Sequence, residues 1–70
     1  MKKILVTDVH PGAKFQQPGS TIILVVDRID DNGTVFFYNL DGDVKINEQS
    51  EQFSSFVSSL NMLGYENYND

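Results

Sequence analysis

Cysteine is absent from all 70 residues, so no disulfide or thiolate metal site can hold this chain together. The one histidine, His10, cannot build a zinc site alone, and no metal or cofactor is expected. A chain without thiols also suits a reducing compartment. Long apolar runs are missing too: the longest, residues 22–26, falls far short of the ~20 residues that cross a bilayer. Lys2 and Lys3 open the chain, but Ile4, Leu5 and Val6 give way at once to Thr7 and Asp8, which is too short for an export signal. These absences predict a soluble cytoplasmic protein with no membrane partner.

Positive charge is scarce. Five lysines and arginines face ten aspartates and glutamates, for a formal charge of −5. That balance repels phosphate backbones and anionic lipid, so no direct nucleic-acid partner is expected. Length sets a further limit, because 70 residues allow one core and no second domain. A chain of this size buries only about 60% of its unfolded surface. With no staple in view, the core must suffice or a second copy must help, which makes a homodimer an open possibility.

The residues that are present alternate between strand and turn signals. Residues 3–9 read as a short strand, broken by His10, Pro11 and Gly12. Phe15 follows as a core anchor, and residues 16–20, with Pro18 and Gly19, form a loop. Residues 21–29 are the strongest strand: Ile22, Ile23, Leu24, Val25 and Val26 run without a polar break, so both faces are expected to meet apolar material in a central position. Asp30, Asp31, Asn32 and Gly33 signal a hairpin, residues 34–40 the return strand, Asp41 and Gly42 a second hairpin, and residues 43–46 a short last strand.

After Ile46 the period changes. Phe53, Phe56, Val57, Leu60 and Leu63 share one helical stripe, while Ser54, Ser55, Ser58, Ser59 and Asn61 face water. Asn47 or Ser50 is placed to cap this helix, Glu48 and Glu51 to complement its positive end, and Gly64 to stop it. The expected fold is α+β: a small antiparallel sheet or partly open barrel of four to five strands with one C-terminal amphipathic helix. It forms a single domain over residues 1–64, followed by a polar tail, 65–70.

Catalytic chemistry finds little support. His10 sits in a turn with no partner to orient it, and the helical serines lack a nucleophile elbow. Gly12 and Gly19 do not have the spacing of a phosphate loop. A calcium loop centred on Gly33 would place Arg28 and Asn39 where acids are required. The chain is therefore read as a non-enzyme.

Binding is better served. Alternation sends Phe37 to one side of its strand and Phe36 with Tyr38 to the other, either into a barrel wall or onto an exposed partner patch. Asp30, Asp31, Asp41 and Asp43 belong to a mid-chain acidic set that could occupy a basic groove on a larger protein by phosphate mimicry. Residues 2–9 could lie at a sheet edge and pair with a partner strand or a second copy. Aromatic strands also suit single-stranded nucleic acid, but Lys14, Arg28 and Lys45 are outnumbered by acids.

Two resemblances sit on these residues. Val9, Gly12, Phe15, the apolar run 22–26, Gly33, Val35, Phe37, Phe53 and Phe56 together resemble the small Src-homology-3-like barrels of phage and bacterial accessory proteins. The pattern from Val35 through Tyr38, followed by Phe53, Phe56, Val57 and Leu60, is similar to the C-terminal part of SUKH (Smi1/Knr4) immunity proteins. Both imply a protein-binding role and neither carries a catalytic residue over. The function expected is a modulator or inhibitor of a larger protein, of phage or mobile-element type; the alternative is an assembly subunit that forms a homo-oligomer.

Overall fold

A computed structural model describes residues 3–68. Among the described residues, five strands and one α-helix follow in the order β1 (Lys14–Gln16), β2 (Ile23–Ile29), β3 (Thr34–Asp41), β4 (Val44–Gln52), α1 (Phe53–Met62) and β5 (Glu66–Asn67). The strands form one antiparallel sheet in the order β4-β3-β2-β1-β5, open and not closed into a barrel. The fold is α+β, with β2 in the centre as its apolar run requires.

The β2–β3 hairpin is fixed by its own side chain. Asp30 Oδ1 accepts hydrogen bonds from the N–H groups of Asn32 and Thr34, both at 2.9 Å, while Gly33 takes the positive φ of 79° that the turn needs. Asp30 is thus a turn-forming acid first. The second hairpin is shorter, with Asp41 opposite Val44 and Gly42 at φ 64°.

β4 runs to Gln52, well past the end at Ile46 that the sequence suggested. Its residues 47–52 are polar on both sides, and an edge strand tolerates this because β3 supplies the backbone hydrogen bonds whatever the side chains. The caps assigned to Asn47 and Ser50 are corrected accordingly: both residues lie in the strand, and Glu48 and Glu51 lie there too. The helix begins at Phe53 without a side-chain cap, and the Phe53 N–H donates to the Gly33 carbonyl at 2.9 Å. The first hairpin therefore also closes the helix start.

Residues 3–9 are not a strand. Val6–Asp8 form one 3-10 turn, closed by Asp8 Oδ2 accepting from the Leu5 N–H at 2.8 Å. Ile4 and Val9 are buried whereas Leu5 and Val6 are exposed, a spacing that two-residue alternation cannot produce. The expected N-terminal edge is replaced by β4 on one side of the sheet and the two-residue β5 on the other.

Asn61, expected to face water, ties this segment down. Its Oδ1 accepts from the Ile4 N–H at 2.7 Å and its Nδ2 donates to the Ile4 carbonyl at 2.9 Å. Asn61→Ala should cost about 1–3 kcal/mol, because both backbone groups of the buried Ile4 lose their partner. Asn61→Asp, which keeps the acceptor alone, should fall between the two in a urea titration. Equal midpoints for all three proteins would show that the clamp contributes nothing.

The core lies between the helix and one sheet face. Phe56 is its centre, with its ring centroid 4.8 Å from that of Phe37 and 6.4 Å from that of Phe15. Leu60, Leu24, Val26, Val35 and Ile4 surround them. Leu63, assigned to the helical stripe, is instead the exposed C-cap, since Gly64 at φ 77° is already turning the chain back. Residues 65–68, read as tail, return to the sheet: Glu66 and Asn67 oppose Gln16 and Phe15, and the Tyr68 N–H reaches the Lys14 carbonyl. No helix among the described residues is long and apolar enough to cross a membrane.

Candidate binding face

The helix lies on one side of the sheet only. Pairing registers identify the residues of the other side: Val25 opposes Tyr38 and Lys14, Ile23 opposes Leu40, and Arg28 opposes Phe36. Of these, Val25 is only 6% exposed although no helix or strand among the described residues lies over it, as long neighbouring side chains can shade a sheet residue. Phe36 and Tyr38 are half-buried beside it. The two aromatics expected to leave Phe37 behind do so, and they share one uncovered face.

Two strand irregularities build this face. Strict alternation from Leu24 and Val26 would aim Arg28 into the core beneath the helix. A bulge between Val26 and Arg28 inserts Asp27 and resets the phase, so that Arg28 turns outward and Ile29 inward against the core. In β4 a second bulge, with Asn47 at a φ of +54°, lies between the pairs Asn39–Ile46 and Phe37–Gln49. It keeps Lys45 and Ser50 on the uncovered side together.

The result is a pair of cations over a pair of rings. The Arg28 guanidinium carbon stands 3.7 Å from the Phe36 ring centroid, and Lys45 Nζ stands 4.4 Å from that of Tyr38. Such contacts contribute about 0.5–1 kcal/mol each at exposed sites and hold long side chains in place. A groove of about 340 Å³ runs beside them, lined by Asp27, Arg28, Phe36, Tyr38, Glu48 and Ser50. With Lys14 placed on the same face by its register, three of the five basic residues gather there.

The acids meet a different fate. Asp30 and Asp31 sit at the first hairpin and Asp41 and Asp43 at the second, at opposite ends of β3, roughly 23 Å apart at ~3.3 Å per residue. They do not form one patch. Along β3 the charge runs acidic, basic, acidic. No three His, Asp or Glu side chains gather as a metal-holding group among the described residues.

Other concavities lie on the helix side, one of about 540 Å³ between Lys3, Val57, Asn61 and Met62. A cleft of about 220 Å³ on the helix side has Leu24, Phe37, Phe56 and Leu60 as its floor, with the Ser59 Oγ donating to Glu51 Oε2 at its rim. His10 is exposed in its turn, its Nδ1 3.0 Å from the Pro11 carbonyl oxygen. No protein-family model, curated protein or solved structure matches this chain.

Arg28 and Lys45 are the site residues that sequence reasoning weighs only as a nucleic-acid groove and sets aside as outnumbered by acids. A signal existed for Arg28: it falls in phase with Leu24 and Val26, and a cation in phase with core positions, followed at once by Ile29, marks a bulge. Asn47 gave no comparable signal.

Proposed function

We propose that this chain is a small non-catalytic interaction protein that binds a larger protein through the uncovered face of its sheet and so modulates or inhibits it. The observation that carries this reading is the placement of Phe36 and Tyr38 of β3, beside Val25 of β2, on the sheet face opposite the helix, which no other helix or strand among the described residues covers. A contiguous aromatic and aliphatic face with a charged rim is the usual make-up of a partner surface. The resemblances to Src-homology-3-like accessory proteins and to SUKH immunity proteins point the same way. They suggest an accessory protein of phage or mobile-element type, acting on a host or defence protein.

The acidic hairpins flank this face and would meet basic groups at both rims of the partner's groove. Capture from native-host lysate at low and high salt tests this. Asp31→Lys, Asp41→Lys and Asp43→Lys together should weaken retention roughly tenfold and flatten its salt dependence. Asp30 is left in place because its carboxylate holds the turn. Unchanged retention at both salt levels would remove the hairpins from the interface.

A second reading, an assembly subunit, rests on β4. This nine-residue strand leaves one edge of the sheet open, where a second copy could add its own strand. Sedimentation separates the two: a closed oligomer at micromolar concentration favours assembly, and a monomer that captures one foreign protein favours the modulator.

A further inference from the structure

We infer that the partner presents an extended segment bearing carboxylates at alternate positions, clamped over β3 by Arg28 and Lys45. The inference rests on the reading that the uncovered face is the binding surface, and adds the chemistry of what it holds.

Spacing carries the first step. Phe36 and Tyr38 are two residues apart on β3, hence about 7 Å apart along the strand, and each holds a cation against its ring. In any extended segment, side chains at positions i and i+2 also point to one face about 7 Å apart. Arg28 reaches its ring from β2 and Lys45 from β4, so the cations flank β3 on either side, and the long side chains of a Glu-x-Glu segment laid along β3 would reach one on each flank.

Geometry carries the second. A guanidinium stacked on a ring uses its flat face for that contact and keeps its N–H groups in plane, where a carboxylate can accept two of them. Because Phe36 already orders Arg28, less side-chain freedom is lost on binding. Lys45 over Tyr38 offers a more compact charge at the next step. Apolar residues of the segment at the flanking same-face positions would rest on Ile23 and Leu40.

The groove also decides against the other anionic chain, single-stranded nucleic acid. Asp27 and Glu48 line it together with Arg28, and a backbone charged at every step must pass them. A peptide places charge only at chosen positions. Base stacking further needs open ring faces, and each ring here already carries a cation.

The test uses the full chain, labelled with nitrogen-15, titrated with an acetylated, amidated Val-Thr-Glu-Thr-Glu-Thr-Val peptide, its double-glutamine analogue and a thymidylate heptamer. The glutamate peptide should shift the amides of Arg28, Phe36, Tyr38 and Lys45, and should weaken with salt. Arg28→Gln and Lys45→Gln should each lower its affinity about threefold to fivefold, as exposed ion pairs allow. Equal binding of the glutamine analogue, or tighter binding of the heptamer, would overturn the inference. The same variants in host-lysate capture separate this inference from the reading beneath it. If Phe36→Thr with Tyr38→Thr abolishes capture and the two glutamine variants leave it intact, the carboxylate clamp is wrong and the face stands. If none of these changes alters capture, both fall.

Discussion

Phe56→Ala is expected to leave this chain largely unfolded at room temperature. Phe56 is 1% exposed and touches the rings of both Phe15 and Phe37, so it joins the short β1, the long β3 and the helix in one contact set. Truncating a fully buried phenylalanine costs roughly 3–5 kcal/mol through lost transfer energy and the cavity left behind. A core of this size rarely supplies more than ~3–5 kcal/mol in total. The two magnitudes are equal, and that equality is why one residue suffices. Phe53→Ala provides the internal comparison, because Phe53 is only half-buried at the helix start and should cost less. Phe56→Leu, which keeps most of the apolar volume, should recover a cooperative urea transition. Far-UV circular dichroism with urea titration measures all three, and a Phe56→Ala midpoint equal to the parent's would refute the assignment of Phe56 as the centre of the core.

The helix, the central strand and both hairpins were legible because each rests on a local signal. The stripe of Phe53, Phe56, Val57 and Leu60, the apolar run into β2 and the two glycine turns need no tertiary information to be read. Three features were not legible, each for a physical reason. β4 past Ile46 is polar on both sides, and what makes it a strand is the ladder it shares with β3, which no property of its own residues announces. Ile4, Leu5 and Val6 have strand-forming side chains, yet Asp8 and Asn61 capture their backbone from positions 3 and 57 residues away. β5 is two residues long and exists only because Gly64 returns the chain toward Phe15. At the candidate face, simple alternation was enough to set Phe36 and Tyr38 apart from Phe37. The cations were visible but their side was not, because a bulge changes which side a residue takes and so cancels the alternation rule at the place where it would have been applied.

Replacing Phe36 and Tyr38 together by threonine should abolish partner capture while leaving the fold nearly intact, and this contrast separates a binding face from a second core. Threonine keeps the strand preference of both positions. Neither ring belongs to the cluster around Phe56, so the folded chain loses the two cation contacts, about 0.5–1 kcal/mol each, together with the partial burial of two rings, and keeps its core. Aromatic anchors at the centre of an interface commonly account for 2 kcal/mol or more apiece, so losing two should weaken binding by roughly a thousandfold, beyond detection in a lysate capture. The comparison is between two numbers from the same protein: the urea midpoint, expected to fall less than in Phe56→Ala and to keep a cooperative transition, and the retained partner, expected to vanish. A large fall in the midpoint would mean that this side of the sheet is packed against something in the free protein, as it would be in a homo-oligomer joined through that face. A small fall with capture unchanged would place the interface elsewhere, and the open edge of β4 would then be the surface to alter next.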